Sequence, residues 1–549
     1  DLHARLVTNS EESLANPSVT TPPEEGHDPR CLQLYIYDIQ DEVANRMQNF
    51  GGRHQYTLNP QIVEGLLRGG PPQRINKEHQ SYISLQYPLL FVFGQPRFYP
   101  NMLLKLKYGS GQGSKVSMNT YYKYHLQLRA KDFGLIFRCG RLFQQYVVIA
   151  FCAFEQYRLD WVRKNQKELR SDYLLGLYDA VSRGDREGIQ AGSMVMLPRT
   201  FTGGPRYMYN HYLDALTICR PLGNPQYFIT FTCNVKWPEI KRYMARHPGL
   251  TSSDRAEIVC RVFEQKVNDF IRFLKLKKPF GYMTAFLYKI KFQKRGLLHC
   301  HMLLWVSSRS KITDACQIDD YISAKILDPA YDPRGYKVVT ELMMHRPCGV
   351  ANPGAACTEN RVCSKKFPKK YNDNTFFDTN GHTHYRRRHT EIHFMKGESR
   401  LDNCNVVPYN QKLSLAFHAH INVEYCGWSM LIKYLFKYIS KGRDHILAKV
   451  RKSIGNMSTS TDKQLMEVDE IKNYVDGRFV YPFEACWRIF DYPIHCRELA
   501  VHILNVHLEN MQRVSFCNRD RIDIIINMSE KKKTTLTEWY VYNDQNTDG

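Results

Sequence analysis

Residues 297–306 read "LLHCHMLLWV", two histidines one residue apart within an apolar run. Alternate side chains of a β-strand share a face, so His299 and His301 point the same way. The residues before them, "GYMTAFLYKIKFQKRG" (281–296), supply a partner strand, with Lys294, Arg295 and Gly296 at the turn of an antiparallel hairpin. In the simplest register Gln293 falls on the histidine side and Lys291 opposite His299. Two imidazoles aimed at one point are either structural, satisfied by backbone carbonyls, or ligands of a metal ion. The pattern alone does not choose.

Segments on both sides extend this hairpin into a domain. "YFITFTCN" (227–234) is a short β-rich run, and Pro238 in "KWPEIKRYM" suits the first turn of a helix. A second helix is expected over "DRAEIVCRVFEQKVNDFIRFLK" (254–275). "HAHINVEYC" (418–426) reads as another β segment and carries a rival H-x-H pair, His418 and His420. The pattern "SMLIKYLFKYISKG" (429–442) then predicts a helix closing at Gly442. Tyr434 and Tyr438 share one face of it, and Lys433, Lys437 and Lys441 form a neighbouring stripe. Taken alone, this is an amphipathic helix with packed tyrosines and solvated lysines. Beside a metal site, the tyrosines become candidate nucleophiles toward phosphorus, flanked by phosphate-binding cations.

The charge balance narrows the partner. Lys and Arg number 76 against 54 acids, a formal net charge of +22, which points to a polyanion and first to nucleic acid. The 16 cysteines are scattered, as in a reducing compartment where thiols stay free or bind metal. The longest apolar run, around "VVIAFCAF", is too short to span a bilayer, so no membrane partner is expected. The expected organisation has four parts. A flexible leader covers 1–30, a mainly helical region 31–215, a central domain 216–445 and a C-terminal extension 446–549. The chain starts at Asp1 and reads as a fragment.

Three separated pieces, in order, resemble one family. "YFITFTCNVKWPEI", "FQKRGLLHCHMLLW" and "KYLFKYISKG" are similar to the motifs of the Helitron replication-initiator region, the HUH endonuclease of rolling-circle transposons. The flanking stretches "LPRTFTGGPRYMYNHYLDALTICR" and "DEIKNYVDGRFVYPFEACWRIFDYPIH" agree, and the resemblance covers about 60–545. It implies an α+β fold, a helical N-terminal region followed by an HUH-type antiparallel sheet. Family order assigns the metal role to His299 and His301 rather than His420, and the nucleophile role to Tyr434 and Tyr438; Gln293, on the facing strand, is the third candidate metal ligand. The implied activity is metal-dependent nicking of single-stranded DNA, with Mg²⁺ or Mn²⁺, through a 5′-phosphotyrosine link, followed by strand transfer. Lys294, Arg295 and the three helix lysines would hold the DNA. A nuclear setting and a helicase domain on the same polypeptide are also implied. No G-x-x-x-x-G-K occurs in this sequence, so ATPase activity is not expected of it.

Where the family usually has Glu, this chain has Lys291; Leu298 replaces the usual proline. An acid at 291 would help hold a divalent cation, and an ammonium repels it. A second constellation lies in the Pro-, Gly- and Cys-containing stretch 310–400, which reads as an insertion without an apolar core of its own. There His345, Cys348, Cys357 and Cys363, spaced H-x2-C-x8-C-x5-C, suit a tetrahedral structural Zn²⁺. Two rival classes remain beside the endonuclease. One is a decayed DNA-binding remnant, which Lys291 favours. The other is a structural zinc protein, which leaves the basic tyrosine helix unexplained.

Overall fold

The structure, a computed structural model, describes residues 76–104, 114–129, 134–166, 169–184, 186–187, 193–194, 197–292, 297–379, 381–426, 470–475, 478–501, 506–517 and 519–546. Tyr434, Tyr438, Lys433, Lys437, Lys441, Gln293, Lys294 and Arg295 lie outside them, as does the expected leader. The chain divides into two compact units, Asp1–Phe154 and Glu155–Gly549.

In the first unit, Ser117 caps the helix Met118–His125 by accepting from the Thr120 amide at 3.1 Å. Tyr87 and Phe91 pack edge-on against Tyr146. The helix Arg141–Gln166 begins in this unit and includes the boundary residues Phe154 and Glu155.

The second unit is built on a five-stranded antiparallel sheet. Its strands are β1 (Tyr227–Thr232), β2 (Met283–Phe292), β3 (Leu298–Val306), β4 (Ile421–Tyr425) and β5 (His495–Glu498), in the spatial order β4-β1-β3-β2-β5. Three helices pack around it: α1 (Pro205–Leu222), α2 (Pro238–Met244) and α3 (Ala256–Lys277). Pro238 stands in the first turn of α2, as its fixed φ and missing N–H allow. The mixture is an α+β fold.

Alternation along β3 separates two faces. Cys300 and Met302 are buried on one, with Phe231 and Ile229 of β1 beside them. That face meets α3, whose buried Val259, Phe263, Val267, Phe270 and Leu274 recur at three- and four-residue steps. Phe231 stacks on Phe270 with ring centroids 4.8 Å apart. Burying each such phenylalanine contributes about 1.5–3 kcal/mol. The other face is apolar at one end, where Ala215 and Ile218 of α1 pack with Phe228, Leu287, Leu303 and Trp305. At its other end it carries the histidines.

The helix α1 covers the sheet, and β5, from within 446–549, pairs with β2 and closes one sheet edge. One expectation changes: the insertion packs an apolar core of Ile326, Val339 and Met343 together with Val406 and Tyr409 just beyond it. Val339 comes from the helix α4 (Pro333–Leu342), and the rest come from flanking loops.

Candidate functional site

The register sets the histidine face. His301 lies between Thr230 of β1 and Lys289 of β2, and His299 between Thr232 and Lys291. Next to Lys289 stands His495 of the edge strand. His299 and His301 do share one face, with ring centroids 6.2 Å apart, and both are partly buried. Lys291 lies opposite His299, as the hairpin register predicts.

Burial, reinforced by His301, His420 and Lys291, pushes the His299 pKa down to about 3. Burial with Lys291 and Lys289 brings His301 down to about 4. Both rings are neutral near pH 7 and can offer a lone pair. Among the described residues, no third His, Cys, Asp or Glu joins this pair within 4.8 Å. Lysines occupy both facing positions on β2. These residues by themselves do not fit a Mg²⁺ or Mn²⁺ site, since a dication needs oxygen ligands and negative charge.

His420 is not on a strand. The helix α5 (Gln411–Phe417) ends at His418, which adopts φ +45°, and β4 starts only at Ile421. His418 is exposed, whereas His420 reaches the histidine face. The end of β1 holds this approach in place. The Thr232 amide donates to the His420 carbonyl at 3.0 Å, and the Cys233 amide donates to the Leu298 carbonyl at 2.9 Å. Asn234 Nδ2 donates to the His418 carbonyl at 2.6 Å and Trp237 Nε1 to the Phe417 carbonyl at 2.7 Å. The Thr232 hydroxyl then sits 3.2 Å from His299 Nδ1 and 3.5 Å from His420 Nδ1. The sequence reading missed Thr232 and set His420 aside, because neither strand periodicity nor motif order marks a contact between segments so distant in the chain.

A buried polar layer continues under α1. His211 stacks on His495 at 4.3 Å, its Nδ1 is 3.5 Å from Asp214, and Asp214 pairs with Arg497. Burial, then Arg497 and Lys289, lowers the His211 pKa to about 4.

The insertion carries the clearer metal geometry. His345 Nε2 lies 3.4 Å from Cys348 Sγ and 3.5 Å from both Cys357 Sγ and Cys363 Sγ. All four donor atoms fall within 4.8 Å of one another. The His345 amide donates to the Asn405 carbonyl at 2.7 Å, and the Phe367 ring stacks on the imidazole at 4.1 Å. Asn360 and Arg361, both with positive φ, turn the hairpin that pairs Thr358 with Cys363. Gly349, at φ +68°, passes so close that a Cβ would meet the Arg361 carbonyl oxygen at 3.0 Å. Burial acts to raise the Cys363 pKa, but the Phe367 and Lys365 backbone groups overcome it and lower the value. Burial with Cys363 and Cys357 pushes Cys348 up to about 12. One imidazole and three thiols crowded in this way can hold a tetrahedral ion such as zinc, with the thiols deprotonated.

Comparison with known proteins reaches the hairpin and the sheet. Residues 121–304 match the family described as Helitron helicase-like domain at N-terminus. Over those residues the chain is similar to a Helitron helicase-like domain. The matched span includes β1, β2 and most of β3 with both histidines. No curated protein matches the chain. The Helitron-like domain ties the chain to a transposase-related role. Among the described residues no helix is long and apolar enough to cross a membrane.

Proposed function

We propose that the chain is the single-stranded-DNA nicking and strand-transfer part of a rolling-circle transposase acting in the nucleus. The observation that carries this reading is the pair His299 and His301, on one face of the central strand within the Helitron-like span. The net charge of +22 supports a DNA partner. In the reaction, a phenolic oxygen of Tyr434 or Tyr438 attacks a backbone phosphorus. The P–O3′ bond breaks, the 3′ oxygen leaves as a hydroxyl, and the 5′ phosphate stays on the tyrosine. The second tyrosine allows another cut while the first end is held. Lys433, Lys437, Lys441, Lys294 and Arg295 bind phosphates around it.

The test is a 3′-labelled single-stranded oligonucleotide spanning a transposon end, incubated with and without Mn²⁺. A covalent adduct is expected, and Tyr434→Phe with Tyr438→Phe removes it. An adduct that survives the double substitution places the nucleophile elsewhere. A second reading, DNA binding without cleavage, is favoured by one observation, Lys291 directly across from His299. It predicts salt-sensitive binding of the same oligonucleotide and no adduct.

A further inference from the structure

Between residues 76 and 129 of the first unit stand Lys77, Arg97, Lys105, Lys107, Lys115, Lys123 and Arg129, against one acid, Glu78. Arg97 is buried with its guanidinium 3.5 Å from the centre of the Phe91 ring, and among the described residues no carboxylate pairs with it or with Arg129. The helix Met118–His125 buries Met118, Tyr121 and Tyr122 along one stripe, which leaves Tyr124 outside it. Tyr124 is 59% exposed. Phe98 packs on Tyr121, so Tyr99, also exposed, emerges beside the same helix.

Arg129 gives Tyr124 a fixed pose. Its guanidinium lies 3.6 Å from the ring centroid, and it donates to the Tyr124 carbonyl at 2.8 Å and to the Gln127 carbonyl at 3.3 Å. One ring face is covered in this way, and the other is left to solvent. An ordinary helix cap accounts for the two carbonyl bonds. It does not account for a large aromatic face held open in a segment almost without acids. Such a face stacks a nucleobase, and a guanidinium with five N–H groups, two of them in use, can meet the adjoining phosphate. Base faces are open in a single strand and closed in a duplex, so the geometry favours the single strand.

We propose that Tyr124 and Arg129 form a stacking platform for a base of single-stranded DNA, a contact made by the first unit, whereas the histidine face belongs to the second. Lys115, which bridges to Leu103 just before the helix, and Lys123 within it add cations for neighbouring phosphates. DNA as the ligand rests on the function proposed above. The platform itself needs neither a metal nor a nucleophile, so it holds a strand whether or not cleavage follows.

Fluorescence anisotropy of the full chain tests this, with a labelled oligothymidylate either single-stranded or annealed to its complement, and no divalent metal. Tyr124→Ala should weaken single-strand binding about fivefold or more, and duplex binding by less than about twofold. Tyr124→Phe keeps the ring and should keep the affinity. Tyr124→Leu keeps an apolar side chain without a π face, so it should lose affinity as alanine does, and it decides if the alanine variant does not fold. Arg129→Gln should lower the slope of log affinity against log salt by about 0.7. A folded Tyr124→Ala that binds the single strand like the parent overturns the platform, as does an equal loss for single strand and duplex. An unchanged slope in Arg129→Gln removes the guanidinium from it. A parent that self-associates, and becomes monomeric in Tyr124→Ala, makes the patch a contact between copies and overturns it too. If the parent binds no single strand even at low salt, the functional reading and the platform fall together. Binding that depends on Tyr124 in a chain that forms no covalent adduct keeps the platform and removes only the nicking step.

Discussion

At the knuckle of the insertion, one imidazole and three thiols bring their donor atoms within 4.8 Å of one another. Across the central sheet, two neutral imidazoles face two lysines instead. Both places contain histidines at metal-ligand spacing, and both lower the pKa of the ring by burial first. The difference lies in what else converges. Thiols can lose protons to a metal, so crowding them favours a cation. Lysines opposite the imidazoles add positive charge, so the same ring becomes a better partner for phosphate. Spacing of histidines identifies a place where chemistry can occur, and the facing residues decide its sign.

The largest effect expected from this contrast is at the knuckle. Freshly purified protein should contain about one zinc per chain, and Cys363→Ser or Cys357→Ser should remove it. Structural zinc contributes roughly 10–16 kcal/mol of apparent binding energy in small domains, so its loss should unfold the segment around 345–367. Elemental analysis and limited proteolysis read both outcomes. Metal-free protein with a protected knuckle would leave the cysteines as an ordinary reduced cluster.

On the sheet, Lys291→Glu should reverse the preference. It replaces an ammonium by a carboxylate opposite His299, and Mn²⁺ affinity measured by calorimetry should rise at least tenfold, about 1.4 kcal/mol. Equal affinity in parent and variant would remove Lys291 from the electrostatic account.

Acid should separate the two regions less sharply. His299, His301, His211 and His420 have folded pKa values near 3 to 4, below the unfolded value of 6.5. The unfolded chain thus binds more protons between those limits, and stability falls as pH drops below about 6.5. Each ring contributes up to about 1.4 kcal/mol per pH unit in that window. Urea midpoints measured from pH 7 to pH 4 should decline, and His299→Gln should flatten the slope. A flat profile in the parent would mean the rings are not buried neutral.

Much of this was readable in the residues, for physical reasons that also mark the limits. The strand β3 alternates His299, Cys300, His301 and Met302, and α3 repeats its apolar residues at helical steps, so local periodicity reveals both. The knuckle was readable because four strong donors lie within 19 residues, His345 to Cys363. The edge strand β5 was not, since "HCRE" is short and polar and gains its place only by pairing with β2. The insertion's core escaped notice because Ile326 and Tyr409 are far apart in sequence. His420 escaped for the same reason. Its contact with Thr232 spans 188 residues, and its approach is a helix end rather than a strand. Tyr434 and Tyr438 lie outside the described residues, so their relation to the histidines stays a proposal.

The smallest expected effect extends the contrast to the surface between the two regions. Lys396, in the hairpin Phe394–Leu401, interacts with Arg346 beside His345 of the His/Cys cluster and with Lys236 after β1. All three are exposed. Burial first, then repulsion from Arg346 and Lys236, lowers the Lys396 pKa. Cations drawn together from three chain segments repel one another, which a phosphate backbone would relieve. Each such contact to single-stranded DNA adds about 0.7 to the slope of log affinity against log salt. Lys396→Gln or Lys236→Gln should therefore weaken oligonucleotide binding about two- to threefold at low salt and reduce that slope by less than one. Fluorescence anisotropy across a salt series measures both. Unchanged slopes in both variants would confine DNA to the sheet face and leave the knuckle as a support for the fold alone.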